Sequence, residues 1–194
     1  MDERLLTKDV IVFDVGNVLV RFDPEAISKG YHLNEQLRRG IFESGLWSWI
    51  DTGLIHTGEL ARMMCAAAHT DSEEDFLKVS GLLDGFYQHE LPLEASTWVP
   101  ELKAMGKRLY YLTNYSSPGF ERTKERFPFF KHFDGGVVSA HEHIVKPMPR
   151  IYELLCERYG FQPEEALFID DNINNIHAAE SLGFSVWHYT GRTE

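Results

Sequence analysis

Apolar and polar positions along the chain follow two rhythms. Val10 to Phe13, Arg108 to Thr113, Gly136 to Ser139, Ala166 to Ile169 and Phe184 to Trp187 are short runs rich in branched and aromatic residues. The first has the make-up of a strand buried on both faces, and the others read as strands beside it. Between them, Pro118 to Phe127, Pro149 to Tyr159 and Ile173 to Leu182 read as helices, the last two stopped by Gly160 and Gly183. Strands separated by helices of about ten residues predict an α/β fold, a doubly wound parallel sheet with helices on both faces.

The rhythm changes after Phe22-Asp23-Pro24. From Glu25 to about Leu93 the pattern holds no convincing strand, only helical periodicity punctuated at Gly30, Gly40, Gly45, Gly53 and Gly58. Its clearest piece is Ser72 to His89, where Ser72 with Asp75 resembles a capping box and Phe76, Val79, Leu83 and Phe86 recur on one face. Thr57 or Gly58 begins another helix, running to Ala68. Pro92 and Pro100 mark the return, and Ser96 or Thr97 can cap a helix reaching Met105, ended by Gly106. The expected organisation is an α/β core of residues 1–23 and 94–194, with residues 24–93 inserted as a small helical-bundle cap that closes over the sheet. Thr190 to Glu194 are expected to be loose.

Composition narrows the class. Of 194 residues, 43% are hydrophobic and 13% aromatic, and no apolar run is long enough to span a bilayer, which predicts a soluble globular protein. The opening MDERLLTKDV has no signal-peptide pattern, and Cys65 and Cys156 lie too far apart for a zinc or redox motif. A cytoplasmic protein with reduced cysteines is expected. The formal net charge of -11 repels nucleic acid and anionic membrane. Residues 24 to 95 hold 5 basic and 12 acidic side chains, so the acidity concentrates in the helical segment.

The chemistry gathers at the strand ends: Asp14 after the first strand, Thr113-Asn114 after RLYYLT, Lys146-Pro147 after GVVS, and Asp170-Asp171-Asn172 after ALFI. In a doubly wound sheet these lie along one edge, where the ligand crevice opens. Singly, each has a plainer reading: Asp14 starts a turn before Gly16-Asn17, Thr-Asn forms a turn, Lys-Pro a solvated loop, and Asp-Asp-Asn a helix cap. Together, a carboxylate, a hydroxyl, a lysine and an acidic pair are the parts that phosphoryl transfer needs. One carboxylate attacks in line, a divalent cation neutralises phosphate charge, and Thr and Lys hold the equatorial oxygens.

DVGNVL, the strand end LTN, the later Lys-Pro and FIDDNINNI resemble the four motifs of the haloacid dehalogenase (HAD) superfamily, whose core is Rossmann-like, and the helical insertion stands where that superfamily carries a small cap. The first and fourth motifs are similar to those of its sugar-phosphate phosphatases, including alpha-D-glucose-1-phosphate phosphatase. The resemblance implies Asp14 as nucleophile, forming an aspartyl-phosphate. It implies Mg2+ held by Asp14, the Gly16 backbone carbonyl and Asp171. Thr113, the Asn114 amide and Lys146 would bind phosphate, with Asp170 and Asn175 as supporting residues. The implied partner is a small phosphorylated metabolite, without nucleic acid or membrane, on a monomer or weak homodimer.

One position departs from that pattern. Phosphatases of the superfamily usually carry a second Asp two residues after the nucleophile, as acid for the leaving oxygen and then base for water, and here it is Gly16. Such help is worth on the order of 10²- to 10⁴-fold. The expectation is an enzyme that prefers better leaving groups, or one that borrows a proton carrier from Asp23, the cap or the substrate. The alternative is a phosphate-binding regulatory protein of the same fold with weak turnover. Carbon-halogen hydrolysis is a further rival, and the acidic pair counts against it. His141 and His143 around Glu142 read as solvent-facing before they read as a metal site, Phe42, Trp47 and Trp49 as bundle core before a substrate pocket, and Arg21 as surface charge or substrate contact.

Overall fold

The computed structural model describes residues 2–191; of the segment expected to be loose, residues 192–194 lie outside the described residues. The strands β1 (Val10–Phe13), β4 (Arg108–Thr113), β5 (Gly135–Val138), β6 (Ala166–Asp170) and β7 (Ser185–His188) form one parallel sheet in the order β5-β4-β1-β6-β7. The chain starts at the centre, steps outward to β5, and returns to the other side of β1. The C-terminal ends beside β1 are therefore where loops to either side diverge and leave a crevice.

Alternation along the strands assigns the two faces. Val10, Val12, Tyr110, Leu112 and Phe168 meet Ile151, Tyr152 and Leu155 of α9 (Pro149–Tyr159) and Ile176 and Ala179 of α10 (Ile173–Ser181). Ile11, Phe13, Leu109, Tyr111 and Ile169 meet Val99 and Leu102 of α6 (Ala95–Ala104) and Phe120 of α7 (Ser117–Arg126). This second cluster continues without a break into the helical segment, through Val18 and Leu19 to Ile27, Leu37, Ile41, Leu60, Met64 and Val79. Those residues belong to α1 (Pro24–Gly30), α2 (Glu35–Phe42), α4 (Thr57–Ala67) and α5 (Glu73–Gly85), with the short α3 (Trp47–Ile50) between α2 and α4.

Several local expectations are corrected by tertiary packing. Gly40 does not interrupt a helix; it lies inside α2, where an added Cβ would sit 2.6 Å from the Met64 carbonyl oxygen of α4. Its lack of a side chain lets the two helices close. The helix from Ser72 ends at Gly85 and continues as a 3-10 turn over Phe86–His89. Only half of the capping box forms: Ser72 accepts from Asp75 N, but the Asp75 carboxylate turns to the Thr70 hydroxyl. α6 begins at Ala95, before Ser96 and Thr97, whose hydroxyls donate back to Leu93 and Glu94 carbonyls. Pro100 lies inside α6, as in the helix expected from Ser96 or Thr97 to Met105, where Ala95, Val99 and Leu102 are buried.

The segment is also not strand-free. β2 (Val20–Arg21) pairs antiparallel with β3 (Leu91–Pro92), so the two chain crossings between sheet and helices run side by side. At the other end of the sheet edge, Ser139 leaves β5 and opens a single helical turn, α8 (Ser139–Glu142). No helix among the described residues is long and apolar enough to cross a membrane.

Candidate active site

β1 delivers Asp14 directly. The Asp14 amide donates to the Ile169 carbonyl at 2.8 Å, so the ladder with β6 holds the residue at the lip of the sheet. Its Oδ1 accepts from Val15 N at 2.6 Å and pairs with Lys146 Nζ at 3.0 Å. The chain then turns through Gly16 and Asn17, the latter in the left-handed region at φ 55°, which Asn tolerates better than most side chains. Asn17 ties the turn shut: its Oδ1 accepts from Phe22 N at 3.0 Å, and its Nδ2 donates to Asp171 Oδ2 at 3.2 Å.

β6 ends one residue later than its sequence pattern predicted, placing Asp170 inside the strand and fully buried. A buried carboxylate needs partners, and Asp170 accepts four hydrogen bonds from three donor groups. Lys146 Nζ lies 2.6 Å from Oδ2, Asn172 N donates to Oδ1, and Asn175 Nδ2 reaches both oxygens. Lys146 is positioned from its backbone: its N–H donates to Asn114 Oδ1 at 2.8 Å and its carbonyl accepts from Asn114 Nδ2 at 3.0 Å. Thr113, at the end of β4, is buried, and its hydroxyl has no hydrogen-bond partner among the described residues.

The structure thus brings Asp14, Asp170, Asp171 and Lys146 together, with Gly16, Asn114 and Asn175 lining the same crevice, while Thr113 is the buried last residue of β4, next in the chain to Asn114, and is not among the lining residues. Asp14, Asp170 and Asp171 each offer an oxygen within 4.8 Å of the others. Burial first, and then Asp170 and Asp171, push the Asp14 carboxyl above its ordinary range, while Lys146 opposes them. Asp171 is raised as well, by burial and by Asp170. Burial works against the Lys146 ammonium, but Asp14 and Asp170 outweigh it and hold the pKa above its usual value. Three carboxylates against one ammonium leave two negative charges uncompensated when all are ionised. An all-oxygen donor set with that charge fits a hard divalent cation.

The crevice above this floor has a volume of about 320 Å³. Asn17, Asp171, Asn172 and Asn175 line its polar side; Phe22, Trp47, Phe86 and Tyr115 line the other. Trp47 has both of its expected roles, packing against Phe22, Phe42 and Phe86 while facing the crevice, whereas Trp49 is exposed. Arg21 is exposed. Asp23, named as a possible proton carrier, is engaged elsewhere: its carboxylate caps α1 by accepting from Glu25 N and Ala26 N. His141 faces Ser117 Oγ and His143 faces the Thr52 carbonyl, so neither joins the acidic cluster.

Among the polar lining residues that sequence reasoning missed are Asn17 and Asp51. Asn17 was legible in the Gly-Asn turn, but its bond to Asp171 spans 154 positions. Asp51 had no local signal, since Ile50-Asp51-Thr52-Gly53 reads as an ordinary turn.

A sequence profile described as haloacid dehalogenase-like hydrolase matches residues 8–183. The chain is 25% identical over 182 residues to the sesquiterpene phosphatase astK of Aspergillus oryzae, covering 92% of this chain and 88% of that protein. It is 30% identical over 105 residues to an (S)-2-haloacid dehalogenase of Pseudomonas putida, covering 54% of this chain and 46% of that protein. A crystal structure of a HAD family enzyme from Bacteroides thetaiotaomicron, in complex with magnesium and inorganic phosphate, superimposes with a TM-score of 0.70 at 20% identity, covering 95% of this chain and 96% of that one. Of these relatives, one is named a phosphatase and another a dehalogenase.

Proposed function

The chain belongs to the haloacid dehalogenase-like hydrolase family, and from that premise we propose that it is a Mg2+-dependent phosphatase acting on a small phosphorylated metabolite. The class we favour is a sugar phosphate such as glucose 1-phosphate. The observation that carries the reading is the crevice floor: Lys146 bridging Asp14 and Asp170, with Asp171 beside them and the buried Thr113 hydroxyl unpartnered. An unpaired buried hydroxyl at the end of β4, one residue before the crevice-lining Asn114, suits a ligand oxygen that carries negative charge. A third carboxylate suits a metal-assisted phosphatase, where a divalent cation offsets it, better than a metal-free halocarboxylate site, where it would only repel the anionic substrate.

In this reading Asp14 attacks phosphorus through a carboxylate oxygen, and an aspartyl-phosphate forms and is hydrolysed. The Thr113 hydroxyl, the Asn114 amide and the Lys146 ammonium hold the non-bridging oxygens. Asp170 aims Lys146, and Asn175 fixes Asp170. Asp14, the Gly16 carbonyl and Asp171 would hold Mg2+, which when bound supplies positive charge against the phosphate and favours the ionised form of Asp14. Residues 24–93 form the cap, whose Trp47 and Phe86 exclude water above the reacting groups. Aromatic faces opposite a row of amides suit a sugar, apolar on its ring face and polar at its rim.

The test is phosphate release with and without Mg2+, using Asp14→Asn as blank, on glucose 1-phosphate, primary-alcohol sugar phosphates, farnesyl monophosphate and 2-chloropropionate. Mg2+-dependent phosphate release that disappears in Asp14→Asn supports the reading, and the best substrate names the class. Chloride release insensitive to chelator would replace it with dehalogenation. Tight phosphate binding with less than one turnover would favour the regulatory alternative.

A further inference from the structure

A phosphatase with Gly16 in place of a proton-carrying acid must find that acid elsewhere, and the crevice contains one more carboxylate. Asp51 lines the same cavity as Asp14, Gly16 and Lys146 but comes from the opposite wall, at the C-terminal end of α3 in the helical segment. An added Cβ at Gly16 would meet nothing within 4 Å, so the place an acid at residue 16 would take is open toward that wall.

Asp51 is held there by its backbone. The Ser139 hydroxyl donates to the Asp51 carbonyl at 2.6 Å and itself accepts from Tyr115 N at 3.0 Å. The next carbonyl, of Thr52, is met by His143 at 2.9 Å, which as a donor to a carbonyl carries its proton on Nδ1. Gly53 follows at φ 65°, where a Cβ would sit 2.4 Å from the Ala140 carbonyl oxygen. Three consecutive residues are thus docked on the β5–α8 turn, while the Asp51 carboxyl has no hydrogen bond or ion pair among the described residues. Three partners for the backbone and none for the acid is the arrangement of a group held ready for something else.

We propose that Asp51, carried into the crevice by the helical segment, is the catalytic acid and base that residue 16 cannot supply. The proposal rests on the phosphatase reading above. As Asp14 attacks, the bond from phosphorus to the leaving oxygen breaks with its electron pair on oxygen, and that oxygen takes the Asp51 proton, leaving an alcohol and an Asp51 carboxylate. Water then attacks the phosphorus of the aspartyl-phosphate and gives a proton to Asp51. The phosphorus–Asp14 bond breaks, and inorganic phosphate, the Asp14 carboxylate and protonated Asp51 are restored.

The surroundings suit both states. Burial raises the Asp51 carboxyl to about 7, with the Lys146 ammonium pulling the other way. Besides Lys146, the titratable groups near Asp51 include Asp14 and Asp171 in the same crevice, Tyr115 on the β4 side and His143 behind Thr52. An acid near neutrality can both give and take a proton.

The experiment compares kcat/KM for p-nitrophenyl phosphate, whose leaving group needs no proton, and for a primary-alkyl phosphate, whose leaving group does. Asp51→Asn should lower the alkyl value by on the order of 10²- to 10⁴-fold and the aryl value by less than about tenfold. Gly16→Asp added to Asp51→Asn should recover much of the alkyl loss, because residue 16 has room for the new side chain. In the wild type, kcat/KM for the alkyl ester should fall as pH rises past about 7, a limb missing in Asp51→Asn. Infrared difference spectra of the wild type minus Asp51→Asn, in which the raised Asp14 carboxyl cancels, should show a protonated-carboxyl band that titrates there. Equal losses on both esters, or no loss on the alkyl ester, overturn the proposal. If the wild type releases no phosphate from either ester with Mg2+ while the infrared band titrates as expected, the phosphatase reading fails and the proton-carrier role falls with it.

Discussion

Replacing Lys146 by methionine removes one ammonium from between two buried carboxylates while keeping most of the side-chain volume. The Lys146 side chain is 1% exposed, with Nζ 2.6 Å from Asp170 and 3.0 Å from Asp14. Deleting one partner of a buried ion pair costs about 3–5 kcal/mol, because the remaining charge has been stripped of water and left alone. In a domain of this size each kcal/mol moves the midpoint by about 2–4 °C, so Tm should fall by roughly 6–20 °C in chelator at pH 8. The loss should depend on pH, with a definite sign. Asp14 titrates above its unfolded value near 3.8, so stability tied to its proton is complete below that value and fades as pH rises through the raised one. Without the ammonium the Asp14 pKa rises further, so the folded variant holds this carboxyl neutral at pH 5 at little cost, whereas at pH 8 it must take up a proton that the unfolded chain does not bind. Thermal unfolding by circular dichroism at both pH values, with and without Mg2+, measures this. The gap between wild type and variant should be largest at pH 8 in chelator and shrink both at pH 5 and on adding Mg2+. A gap equal under all three conditions would refute the electrostatic account and leave only lost packing.

Other outcomes follow from neighbouring residues. Thr113→Val removes the unpartnered hydroxyl; kcat/KM for phosphate release should drop about 10- to 100-fold, the worth of one hydrogen bond to a charged oxygen, with Tm unchanged or slightly higher. Mg2+ at a hundred times its dissociation constant should stabilise the wild type by about 2.7 kcal/mol, and calorimetry on Asp171→Asn should show that increment reduced or lost. Glu90 is buried where the helical segment returns to the core, with Tyr115 and Thr123 hydroxyls as partners. Glu90→Ala leaves both hydroxyls short of a partner and should lower stability in urea by about 2–5 kcal/mol; a change below about 0.5 kcal/mol would show that the network contributes nothing there.

The parallel sheet was legible from the chain alone, because strands buried on both faces must be apolar along their whole length and such runs stand out between helices. Asp14, Thr113 and Asp170 were legible for a related reason: polar residues that end or directly follow such runs stand at the sheet edge, whereas Lys146, in a loop beyond β5 and α8, was placed by the Lys-Pro dipeptide. Element ends were less so. Gly40 reads locally as a break, yet its close approach to Met64 keeps it inside α2.

What the sequence determined about this protein is which residues reach the edge of the sheet, since strand periodicity is local and each strand carries its own terminal residue. Tertiary structure alone decided which wall faces them. Asp51 shares the crevice with Asp14 because Ser139, 88 positions later, binds its carbonyl, and Asn17 meets Asp171 across 154 positions. Such contacts depend on how two separately patterned segments pack, and a hydrogen bond between distant residues leaves no periodic mark on either.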